Sequence, residues 1–118
     1  MPSIEYWVEE YKRRLIEVER KACAGLARRI VYRTPVDIGT LRFSWTPSIG
    51  MPDYSNSGGD FFAVAHSLQP GDTFCLANGQ PYVRVIEYNG HSNQAPHGMM
   101  RISIAEWGQI LRGAVGGV

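Results

Sequence analysis

The sequence predicts an α+β domain: a long N-terminal helix packed on a small antiparallel sheet of three or four strands, with a short helix and a C-terminal helix. Three observations lead there. Apolar residues recur every three or four positions over residues 4–26, turn-bounded alternating stretches follow in the middle, and helical spacing returns near the end. At 118 residues the chain makes one domain, 1–118, and is too short for two full ones.

The first helix is the clearest element. Ile4, Val8, Tyr11, Leu15, Val18, Ala22 and Leu26 share one face, with Trp7 beside them. Ser3 suits the N-cap, acids gather in the first turns, and Arg28, Arg29 and Arg33 complement the dipole at the far end. Glu9 with Arg13, Glu10 with Arg14 and Glu17 with Lys21 are spaced for i,i+4 pairing. Pro35 ends the element. Gly25 costs about 1 kcal/mol against alanine and permits close approach of another backbone. Residues 4–33 span about 45 Å as a helix. A compact chain of this size has a radius of gyration near 13.5 Å, roughly. The remaining residues are too few to cover the whole stripe, and Trp7, Tyr11 and Leu15 are expected to pack on another subunit or partner; a bend or break near Gly25 that lays the helix on its own sheet is the alternative.

Next comes a shaped turn, with Thr40 capping a short helical turn before a strand that begins near Phe43 or Trp45. Arg42 is placed to reach a carboxylate on a neighbour. Residues 50–60 are rich in Gly, Ser and Asn and read as a flexible or partner-ordered loop. Residues 61–66 and 72–77 read as strands around the turn Gln69-Pro70-Gly71-Asp72, with one face packing under the long helix. Pro81 suits the first turn of a short helix carrying Tyr82 to Tyr88, with a strand as the alternative. Over residues 99–111 alternation competes with helical spacing, and length favours a helix. The glycine-rich tail, 113–118, is expected to fray.

Charge and composition narrow the function. The chain has 12 Lys and Arg against 11 Asp and Glu, for a formal charge of +1. The basic residues are unevenly placed: residues 1–33 carry eight against five acids, and residues 34–118 four against six. A basic element joined to a mildly acidic body favours association with copies or with a complementary partner. No apolar run reaches the roughly 18 residues of a membrane span, and the N-terminal glutamates do not fit a secretory signal. Cys23 and Cys75 lack metal-site spacing, and His66, His91 and His97 read as solvated loop residues. No phosphate loop or paired carboxylates are present. Neither an enzyme nor a cofactor is expected. Arg13, Arg14, Arg20, Lys21, Arg28 and Arg29 support an alternative role, a small DNA-binding or DNA-contacting accessory protein using the basic N-terminal helix, with non-specific and salt-dependent contacts to the DNA backbone.

Two segments carry a resemblance. Thr34-Pro35-Val36-Asp37-Ile38-Gly39-Thr40-Leu41-Arg42-Phe43-Ser44-Trp45 is a turn leading through a leucine-arginine pair into a serine-tryptophan strand. Some forty residues on come Asn78-Gly79-Gln80-Pro81-Tyr82-Val83, then Ile86-Glu87-Tyr88-Asn89-Gly90-His91-Ser92-Asn93-Gln94-Ala95-Pro96-His97-Gly98-Met99-Met100-Arg101. Together with the preceding charged helix they resemble the minor tail, neck or tail-completion proteins of long-tailed double-stranded DNA phages and prophages. Asn89 before Gly90, Ile38 in place of threonine and His97 in place of a smaller residue depart from that pattern.

The resemblance implies a structural virion protein at the neck or head-proximal tail, assembled in the host cytoplasm. It implies a ring of copies, six in a tail of sixfold symmetry, contacting connector, head-closure or tail-terminator proteins and the tail tube. On that reading Asp37, Gly39, Leu41, Arg42 and Trp45 shape one contact corner. Pro81, Tyr82, Glu87, Tyr88, Gln94, Ala95, Pro96 and Gly98 form a second. Trp7, Tyr11 and Leu15 are added from the helix itself, and intrachain packing is the alternative for Tyr82, Tyr88 and Trp45.

Overall fold

The computed structural model describes residues 3–35, 41–89 and 99–116. Helix α1 (Ile4–Arg33) opens the chain as an unbroken 30-residue rod. Ser3 caps it, its Oγ accepting from the Tyr6 amide at 3.2 Å. Arg13 lies between Glu10 and Glu17, at 3.0 and 2.8 Å, instead of meeting Glu9. The i,i+3 and i,i+4 spacings are both in reach on one helical face, and a guanidinium can serve two carboxylates.

A 3₁₀ turn at Arg42–Ser44 leads into strand β1 (Thr46–Ile49), followed by an irregular stretch and helix α2 (Phe61–His66). Strand β2 (Phe74–Ala77) pairs antiparallel with β1, Thr46 opposite Ala77 and Ile49 opposite Phe74. Helices α3 (Tyr82–Asn89), α4 (Met100–Ala105) and α5 (Trp107–Gly116) complete the order.

Several expectations are corrected here. Among the described residues the sheet has two strands, not three or four. Residues 61–66 are helical because Asp60 caps them, its Oδ1 accepting from Phe62 and Ala63 at 3.0 and 3.1 Å. The helix expected over 99–111 is two helices, turning at Glu106, whose amide bonds Ser103 O while α5 starts afresh. Helix α5 runs through residues 113–116, and residues 117 and 118 lie outside the described residues.

The long helix also packs differently from the expected helix-on-sheet layer. Its main neighbours are α2, α5 and α4. One apolar cluster joins Ala22 to Ile110 and Ala114, with Val18, Leu26 and Leu111 around them. Gly25 makes this approach possible: a Cβ there would lie 3.3 Å from Ile110 Cγ2. The close neighbour is therefore a side chain of α5, not a backbone. The second cluster, Ile30, Leu41, Trp45 and Met99, ties the end of α1 to the turn before β1 and to the start of α4, with Leu76 of β2 against it.

Both clusters lie at or beyond Val18, so among the described residues the first turns of α1 have no cluster to pack on. The molecule extends 60 × 27 × 17 Å, with a radius of gyration of 16.4 Å. That exceeds the value near 13.5 Å of a compact chain of this length, roughly.

Candidate functional site

The projecting part of α1 is the first candidate surface. Ile16 is the first buried residue along it. Before it, Trp7, Tyr11 and Leu15 are 61%, 65% and 51% exposed, and Ile4, Tyr6 and Val8 are exposed with them. Tyr6 and Trp7 meet edge to face with centroids 5.4 Å apart. Tyr6, Trp7, Tyr11, Glu10 and Arg14 line a hollow of about 290 Å³. Twelve helical residues, about 18 Å, thus carry an aromatic-rich face with no cover among the described residues.

The second candidate is the corner where the two motif segments meet. Asn78 Nδ2 donates to Leu41 O at 2.9 Å, and Gln80 Nε2 donates to Ser44 Oγ at 3.0 Å. The Gly79 amide donates to Asn56 Oδ1 at 2.7 Å, and a Cβ at Gly79 would lie 2.7 Å from Tyr54 O. Only glycine fits that approach. The irregular stretch 50–60 is thereby tied to the turn before α3, and Thr46 Oγ1 holds it again by accepting from Gly58 N at 3.0 Å.

Inside this corner several residues expected at a contact surface turn inward. Leu41 and Trp45 are buried. Trp45 Nε1 donates to Thr34 Oγ1 at 2.7 Å, and Thr34 Oγ1 donates to Ile30 O at 2.8 Å, closing the end of α1. Arg42 is engaged within the chain. Its Nε donates to Thr34 O at 2.8 Å and its Nη2 to Tyr32 O at 2.9 Å, because the last carbonyls of a helix lack partners and attract a cation.

Glu87 is only 3% exposed. Its carboxylate accepts from the amides of Met99 at 2.9 Å, Met100 at 2.6 Å and Arg101 at 2.8 Å. It is the N-terminal cap of α4, supplied from another helix, and so supports the corner from within. Tyr88 does face outward, with the Arg101 guanidinium 4.6 Å from its ring centroid. Pro81 is exposed just before α3. Asp37, Gly39, Gln94, Ala95, Pro96 and Gly98 lie outside the described residues, as does the Tyr82 side chain. Phe43, Met51, Tyr54 and Phe62 are large exposed groups that sequence reasoning did not select. Phe43 lies within the quoted motif and Tyr54 within the loop 50–60, but no periodicity marks them.

The six cations proposed for DNA contact separate into two groups. Arg13 is held by glutamates, Arg14 lines the hollow at the projecting end, and Arg20 Nε donates to Leu68 O at 2.8 Å. Lys21, Arg28 and Arg29 instead line an open cleft of about 700 Å³ between α1 and α5. Arg33, which lines the same cleft, is bound to Glu106 and donates to Ser103 Oγ at 3.0 Å. Its hydrogen bond holds the Glu106 carboxyl below the ordinary range, and the nearby Arg29 charge adds to this.

No protein-family model, curated protein or solved structure matches this chain. Among the described residues no group of three or more His, Cys, Asp or Glu is placed to hold a metal. None of the described helices is long and apolar enough to cross a membrane. Burial, with the Glu19 charge adding to it, pushes the Cys23 thiol up to about 11, which keeps it protonated and unreactive.

Proposed function

We propose that this chain is a structural protein of a phage neck or tail, completing or joining the head-proximal end of the tail by ring assembly. The observation that carries the assembly reading is the bare apolar face of Trp7, Tyr11 and Leu15 on a projecting helix. Aromatic anchors on a rigid element bury large areas with little ordering cost, which suits an interface. The phage assignment rests on the resemblance of the two motif segments. Their meeting in one corner, through Asn78 with Leu41 and Gln80 with Ser44, supports treating them as one unit.

On this reading the partners are further copies in a ring, six in a sixfold tail, together with connector, head-closure or tail-terminator proteins and the tail tube. The protein resides in the virion after assembly in the host cytoplasm. Light scattering across concentration, alone and with neighbouring tail proteins, tests it alongside images of particles in a tail extract. The expected result is rings for the native chain and loss of rings for W7A or L15R, each still folded. A chain that stays monomeric with its tail neighbours overturns the reading.

A further inference from the structure

A second surface, separate from the projecting end of α1, carries an inference independent of the assembly reading. Lys21, Gly25, Arg28 and Tyr32 follow one another at helical spacing along α1 and form a ridge. The cleft against α5 lies on one side of it. On the other side, a cleft of about 640 Å³ against α2 is lined by the same four residues together with Phe62 and His66.

The ridge is strongly cationic for its size. Lys21 and Arg28 are exposed, with Arg29 beside them, and Glu106, near Arg29, is bound to Arg33. Asp60 lines the α2 side, its Oδ1 accepting from the amides of Phe62 and Ala63, and is the one acid among the described residues lining that cleft. Arg29 Nη1 is buried with no hydrogen-bond partner, the only such side-chain atom found among the described residues. A guanidinium with an unmet donor, in a positive cleft, fits an oxyanion that brings acceptors.

Aromatic groups complete the pattern. Tyr32 is exposed, with Arg28 5.6 Å and Arg42 6.0 Å from its ring centroid. Phe62 is exposed and stacked on His66, centroids 4.1 Å apart. Cations that track a backbone, interleaved with exposed ring faces, are the chemistry that binds single-stranded nucleic acid without sequence preference. An acidic peptide would use the cations and have no need of the rings.

We infer that the Lys21–Arg28–Tyr32 ridge, with Arg29 and Phe62 flanking it, is a binding site for single-stranded nucleic acid. Phosphates meet Lys21, Arg28 and Arg29, and bases lie against Tyr32 and Phe62.

Fluorescence anisotropy of the full chain with a labelled 20-nucleotide single strand, over a salt series, tests this. K21E/R28E should weaken binding at least tenfold. The milder K21Q/R28Q should lower the slope of log affinity against log salt by about 1.4, the loss of two phosphate contacts. Y32A should weaken binding several-fold and leave that slope unchanged. R13E/R14E, an equal change of charge on the projecting end, should leave affinity within twofold. Circular dichroism confirms that each variant is folded. No binding by the native chain at low salt overturns the inference, as does equal loss in R13E/R14E. Equal affinity for polyglutamate or for a duplex of the same length also overturns it, pointing to an acidic protein or to double-stranded DNA.

Discussion

Arg101 is bound to Glu87 twice, its backbone amide donating to Oε1 at 2.8 Å and its Nη2 donating to the Glu87 carbonyl at 2.5 Å. The pair locks α3 to α4 across residues that are distant in sequence. The same arginine then stacks on Tyr88, so an outward-facing ring is positioned by an inward-facing carboxylate.

Glu87→Ala removes the acceptor for three amides, including that of the fully buried Met99. A lost cap with a buried donor left unmet costs about 2–3 kcal/mol. Urea unfolding should show this, with a smaller loss for Glu87→Gln. A change below about 0.5 kcal/mol, the scale of an ordinary surface substitution, would contradict the capping role.

Gly25 separates two opposing effects. Alanine there gains about 1 kcal/mol of helix propensity but crowds Ile110 Cγ2 at 3.3 Å. Because that methyl can yield slightly, Gly25→Ala should be near neutral. Gly25→Leu should destabilise by about 1–3 kcal/mol through overpacking. Thermal melts of the two variants check it, and equal tolerance of leucine would mean that α5 does not pack there.

The Arg33–Glu106 contact gives a pH dependence with a definite sign. The Glu106 carboxyl titrates lower in the folded chain than in the unfolded one. Its contribution is therefore fully present above the unfolded value, about 4.3. It is lost as pH falls through the lower folded value. The melting temperature of the native chain should exceed that of Glu106→Gln at neutral pH, and the gap should close toward pH 3. A constant gap would remove the contact from the account.

Cys23, in a Cys75→Ser background, should react with an aromatic disulfide at pH 8 at least about tenfold slower in the folded chain than in urea, since its thiol is pushed up to about 11. Equal rates would show the group to be open and unshifted.

How legible was this in the amino-acid order? The long helix, its Ser3 cap and its bare aromatic end follow from periodicity and from the mismatch between a 45 Å rod and a small body, roughly. The 61–66 segment was not legible as a strand or helix by periodicity, since five apolar residues in a row fit both. The deciding signal was Asp60, an N-cap residue hidden among other small polar ones. The break at Glu106 depends on how α4 and α5 each meet α1, which no local pattern records. Arg42, Trp45 and Glu87 were found as motif residues, yet their inward roles depend on carbonyls and amides of distant segments. Tertiary partners of that kind leave no trace in spacing.

The packing of Ala22 against Ile110 and Ala114 joins the opening helix to the last one described. A chain emerging from a ribosome must therefore keep that stripe of α1 uncovered until α5 has been released, nearly ninety residues later. Until then the nascent rod is bare along both its middle and its projecting end, and chaperone capture at that stage would compete with premature clumping of neighbouring chains.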